Sequence, residues 1–60
     1  MYKIRAYVNS IEKFECMKQR KPHVGMIFFT IEGRYKITHC RLFGTYTGSY
    51  WSCAVVKLSN

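Results

Sequence analysis

The sequence predicts an α+β fold: a small, mainly antiparallel β-sheet of about four strands, with one short helix from the N-terminal half packed on one face. Three observations lead there. Residues 2–8 alternate in period two, residues 9–21 carry the capping and charge signals of a helix, and from residue 24 onward β-branched and aromatic runs are punctuated by glycines. All sixty residues make a single domain, and a chain this short buries only about 60% of the surface it exposes when unfolded. Its 48% hydrophobic and 17% aromatic content is nonetheless that of a folding chain, because disordered segments are poor in aromatic and β-branched residues.

The first element, "YKIRAYV", places Tyr2, Ile4, Ala6 and Val8 on one face of a strand and Lys3, Arg5 and Tyr7 on the other. In "NSIEKFECMKQRKP", Asn9 can cap a helix, and Glu12 three residues later completes a capping box. Glu12 and Glu15 then sit early and Lys18, Arg20 and Lys21 late, which complements the helix dipole; Ile11, Phe14 and Met17 recur on one side, and Pro22 follows the end. The alternative makes Asn9-Ser10 a hairpin turn and residues 11–19 a second strand, with Phe14 and Cys16 facing inward. The fold would then be an all-β, five-stranded small barrel.

Next comes "VGMIFFTI", followed by a turn at Glu32-Gly33, either as a two-residue loop or as a type I turn with Gly33 in a left-handed bulge. With the two-residue loop, Val24, Met26, Phe28, Tyr35 and Ile37 form a core face. Ile27, Phe29 and Ile31 lie on the opposite face beside Arg34 and Lys36. In "RYKITHCRLF", Ile37 and Leu42 need the same side although they are five residues apart, which calls for a β-bulge near His39-Cys40. A turn at Thr47-Gly48 would pair Tyr46 with Ser49 and Thr45 with Tyr50, leaving Tyr46 and Trp51 exposed and Tyr50 half-buried. The last strand is apolar on both faces: Trp51, Cys53 and Val55 against Ala54, Val56 and Leu58. One helix cannot cover both sides of such a sheet, so either the sheet curls or a second copy covers it, and a homodimer is expected.

Several function classes are excluded. Cys16, Cys40 and Cys53 are odd in number and widely spaced, so neither a disulfide framework nor a zinc pattern is visible, and His23 beside them adds no metal-ligand spacing. The longest apolar stretch is far short of the ~20 residues of a membrane span, and "MYKIRAYV" lacks the apolar core of a signal peptide, which together predict a cytoplasmic chain. His39 and Cys40 are strand neighbours whose side chains diverge, so they cannot act as a catalytic pair. The acidic residues are three glutamates with no aspartate, and the four glycines form no phosphate-binding loop. A binding protein without a cofactor is expected, not an enzyme.

A formal charge of +7 points to an acidic partner. Cations alternate with rings in "YKIRAY" and "GRYKITHCR", and such a surface holds single-stranded nucleic acid by tracking phosphates and stacking bases, with little sequence specificity. The residues that would carry this are Lys3, Arg5, Lys18, Arg20, Lys21, Phe29, Arg34, Lys36, Tyr46 and Trp51. The alternative uses the same basic, aromatic face to dock on an acidic protein, as a protein-protein inhibitor or adaptor. A small basic module of that kind suits a phage or virus that redirects host machinery.

Overall fold

The computed structural model describes residues 1–46 and 48–59, and it is all-β. Five strands, β1 (Tyr2–Val8), β2 (Ile11–Lys18), β3 (Ile27–Thr30), β4 (Gly33–Thr45) and β5 (Gly48–Ser59), form one sheet in the order β2-β1-β5-β4-β3. The sheet curls into a half-barrel. Every neighbouring pair is antiparallel except β1 with β5. The expected α+β architecture is therefore wrong, and the five-stranded all-β alternative describes the chain.

The error lies at Asn9-Ser10. Both residues have positive φ, 51° and 67°, as in the mirror-image two-residue turns whose twist matches that of a hairpin. Asn tolerates this left-handed region because its short side chain hydrogen-bonds locally. Once the chain reverses there, β2 pairs along β1, with Phe14 opposite Ala6 and Cys16 opposite Ile4. The supposed helical stripe is not a buried stripe: Ile11 is 67% and Met17 52% exposed, and only Phe14 packs against the core. A lone helix of a dozen residues is marginal in water, whereas the strand gives Phe14 distant partners. Its ring meets Phe28 edge-on at 5.4 Å and Tyr35 at 5.6 Å, so side chains draw β2 toward β3 and β4.

The core lies on the inner, concave face: Ile4, Ala6, Phe28, Tyr35, Ile37, Cys53 and Val55 are buried. These are the alternate positions expected of β1 and of the β3–β4 hairpin, with one exception. Val24 is exposed, because residues 24 and 25 form a turn before β3 begins. Gly25 has φ 95°, and its N–H donates to the Ile37 carbonyl at 2.8 Å, while the Ile37 N–H donates to the Met26 carbonyl at 2.9 Å. The segment joining β2 to β3 thus runs between the two outermost strands and buries Pro22 on the way.

Turns and bulges set which face each later residue meets. Thr30 pairs with Gly33, so Ile31 and Glu32 form the turn, one residue earlier than a Glu32-Gly33 loop would place it. Gly33 has φ 130°, a conformation that glycine adopts without steric cost. The Thr30 hydroxyl accepts from the Glu32 N–H at 3.1 Å and donates to the Gly33 carbonyl at 2.9 Å. The anticipated bulge in β4 falls between Ile37 and His39, at Thr38, whose hydroxyl donates to the Ala54 carbonyl. It puts Cys40 opposite Cys53 on the inner side and leaves His39 exposed on the other. Thr45 pairs with Gly48, which moves the last turn one residue ahead of Thr47-Gly48. Thr47 itself lies outside the described residues. Tyr50 consequently faces Phe43, not Thr45, and Ser49 faces Gly44, not Tyr46. Among the described residues no helix is long and apolar enough to cross a membrane.

Candidate nucleic-acid interface

The outer face of the sheet gathers side chains from four strands. β1 contributes Lys3, Arg5 and Tyr7; β5 contributes Tyr50, Ser52 and Ala54; β4 contributes His39, Arg41 and Phe43; β2 contributes Glu15. Register lines them into rows, because Arg5 is level with Glu15 and with Ser52, and Ser52 in turn with Arg41. One row along, Phe43 faces Tyr50.

Contacts pass from one row to the other, from Glu15 to Arg41. Arg5 Nε donates to Glu15 Oε2 at 2.9 Å, and Lys3 Nζ lies 3.8 Å from the other carboxylate oxygen. The Glu15 hydrogen bond raises the Arg5 pKa further, so the guanidinium is a fixed charge. Arg5 also lies over the Tyr50 ring, 4.3 Å from its centroid. Tyr50 stacks on Phe43 with centroids 5.6 Å apart and planes 18° from parallel, and Arg41 lies 5.3 Å from the Phe43 centroid. Two guanidinium groups and two rings thereby form a band over three strands, β1, β5 and β4, about 10 Å wide at the usual strand spacing of ~4.8 Å.

Beside the band is a shallow groove lined by Tyr7, Asn9, Ser10, Ser52 and Ala54. Its hydroxyls and amide supply donors and acceptors but no charge. Ser52 belongs to both groove and row, so the two features are continuous.

The ten expected binding residues do not share one surface. Lys3 and Arg5 belong to the band. Phe29, Arg34 and Lys36 lie on the same outer side but toward β3, where Phe29 is level with Arg34 and Ile27 with Lys36. Tyr46 is exposed at the β4–β5 turn, and Arg20 is exposed in the connection after β2. Trp51 is the clearest correction: it is half-buried on the inner side, packed against the core, with Lys21 Nζ 5.2 Å from its ring centroid. It shares no face with Arg34 and Lys36. Lys18 likewise turns inward, 5.7 Å from the Phe28 ring centroid.

Sequence reasoning missed Phe43 and Tyr50 as a stacked pair, and left Arg41 without a place. The missing signal was register. The bulge at Thr38 put Arg41 and Phe43 on the Arg5 side, and the one-residue shift of the last turn brought Phe43 level with Tyr50. Among the described residues no group of three or more His, Cys, Asp or Glu side chains could hold a metal ion. Comparison with known proteins found no family model, no curated protein and no solved structure that matches, so the interface is judged by its geometry and charge alone.

Proposed function

We propose that the protein binds single-stranded nucleic acid on the outer face of its half-barrel, with weak sequence preference and without catalysis. The continuous band Arg5, Tyr50, Phe43, Arg41 is the observation that supports this. Sheets of four strands that bind RNA stack two or three bases on exposed rings, and guanidinium planes serve as stacking surfaces as well. Cations on the same face meet the phosphates, and the net charge of +7 draws any polyanion toward it. The groove beside the band offers hydrogen bonds to a base edge without demanding one base.

The test is titration with short oligonucleotides across a range of salt. Three band cations, Lys3, Arg5 and Arg41, at ~0.7 per phosphate give a log–log salt slope of about −2.1, a roughly twenty-fold loss of affinity between about 50 and 200 mM salt. Arg41→Gln lowers the slope by about 0.7. Tyr50→Ala costs about 1–3 kcal/mol and leaves the slope unchanged. Lys21→Gln, on the other side of the sheet, changes neither quantity. Absence of binding at low salt by the folded protein overturns the proposal, and so does a Lys21→Gln effect equal to that of Arg41→Gln.

A further inference from the structure

The two edges of the sheet are not equally guarded. Natural sheets protect an edge strand with charged residues, proline or bulges, because its unpaired N–H and C=O groups otherwise recruit another chain. β2 has such protection: Glu12, Lys13, Glu15 and Lys18 stand on it, and its pairing with β1 is interrupted by a bulge between Ala6 and Tyr7. β3, "IFFT", carries no charge and no proline, and its pairing with β4 is regular. No Cα of β2 comes within 8 Å of β3, so β2 does not pair with it.

Large apolar side chains are also exposed on β3 and the turn that follows it. Phe29 is 79% and Ile31 106% exposed, an unusual cost for a soluble surface. Backbone polarity follows from the ladder. The Ile37 N–H bond to the Met26 carbonyl marks Met26 as a residue facing β4, and alternation in an antiparallel pair then turns Phe28 and Thr30 toward β4. The N–H and C=O groups of Ile27 and Phe29 therefore face away from the sheet.

We infer that β3 is a docking edge for an extended strand of an acidic protein partner, which adds to the sheet as a sixth strand. Main-chain hydrogen bonds to Ile27 and Phe29 supply affinity, and alternate side chains of the incoming strand pack beside the exposed Ile27 and Phe29 side chains on the outer face. Charge selects the occupant. A second copy would bring together two chains of +7, whereas acidic side chains on the incoming strand meet Lys36, level with Ile27, and Arg34, level with Phe29. This surface is distinct from the Arg5 to Arg41 band, and oligonucleotide titrations read the two independently.

The experiment uses the full chain and a ten-residue synthetic peptide of alternating valine and glutamate, followed by amide NMR. Binding is expected to slow hydrogen exchange at Ile27 and Phe29 by roughly tenfold or more while leaving the β2 amides unchanged. The same peptide N-methylated at alternate residues lacks the edge donors and is expected not to bind. Phe29→Pro removes one outward N–H, a substitution edge strands tolerate, and should weaken binding by roughly tenfold or more. Phe29→Ser, which keeps the N–H, should weaken it less. Equal binding of the N-methylated peptide, protection mapping to β2, or Ile27 and Phe29 amides already protected in a dimer of the free protein would each overturn the inference.

Discussion

Replacing Phe14 by alanine separates the half-barrel from every architecture in which residues 9–21 form a helix. In the structure Phe14 reaches across to Phe28 and Tyr35, while Ile11 and Met17 remain largely exposed. Truncating a fully buried Phe costs about 3–5 kcal/mol. Phe14 is half-buried, so about 2–3 kcal/mol is expected, of which about 1 kcal/mol reflects the two ring contacts. A chain of sixty residues has a total stability of roughly 3–9 kcal/mol, so this one truncation removes a large share of it. The thermal midpoint should fall by roughly 10–20 °C. Ile11→Ala and Met17→Ala should each stay within about 0.5 kcal/mol of the parent, because neither side chain is buried. Phe14→Leu keeps most of the apolar area but loses ring geometry, and should cost about 1 kcal/mol. Urea unfolding followed by far-UV dichroism and by Trp51 emission measures all four. Three alanine variants with equal cost would mean that Ile11, Phe14 and Met17 form one buried stripe, and the strand assignment of β2 would fail.

Two further expectations concern the turn and the thiols. Ser10 sits at φ 67°, so Ser10→Gly should stabilise the hairpin by about 0.5–1 kcal/mol, since relief of the left-handed strain exceeds the added chain entropy; a lower urea midpoint would contradict the turn geometry. Burial, and then the hydrogen bond to the Cys40 sulfur 3.7 Å away, pushes the Cys53 thiol from its ordinary 9.0 up to about 12. The folded state thus favours the neutral thiol, and this contribution to stability is intact below pH 9.0 and lost as pH climbs toward about 12. Alkylation by iodoacetamide should reach Cys53 last of the three cysteines, and Cys53→Ala should show a shallower alkaline loss of stability than the parent. Fast labelling of Cys53 in the folded protein would show that it is not buried.

Much of the fold was legible in the alternation of side chains. Tyr2 to Val8 divide between faces as period two requires, and the β3–β4 hairpin buries Phe28, Tyr35 and Ile37 while exposing Ile27 and Phe29. The faces survive even though the turn lies one residue earlier than Glu32-Gly33, because moving it from Glu32-Gly33 to Ile31-Glu32 shifts the pairing by two positions and preserves parity. The bulge near His39 was legible for a similar reason: Ile37 and Leu42, five residues apart, can share the inner side only if one residue is skipped between them. The segment from Asn9 to Lys21 was not legible. Asn-x-x-Glu is a capping box in one context and the corner of a hairpin in another, and local signals worth about 1 kcal/mol do not separate the two.

The sequence by itself determined the charge, together with the two-faced character of each strand. Both follow from residue identity and from a period that holds wherever a strand forms. Tertiary structure alone decided that β2 is a strand, since only the rings of Phe28 and Tyr35, distant in the chain, reward Phe14 for lying there. It also decided which rings meet which cations. Tyr50 joined Arg5 and Phe43, and Trp51 turned inward to Lys21, because neighbouring residues of a strand point to opposite faces and the register of β5 chose between them. Register depends on how turns and bulges close against the rest of the sheet, and that is settled by packing across the half-barrel, which no local stretch of sequence contains.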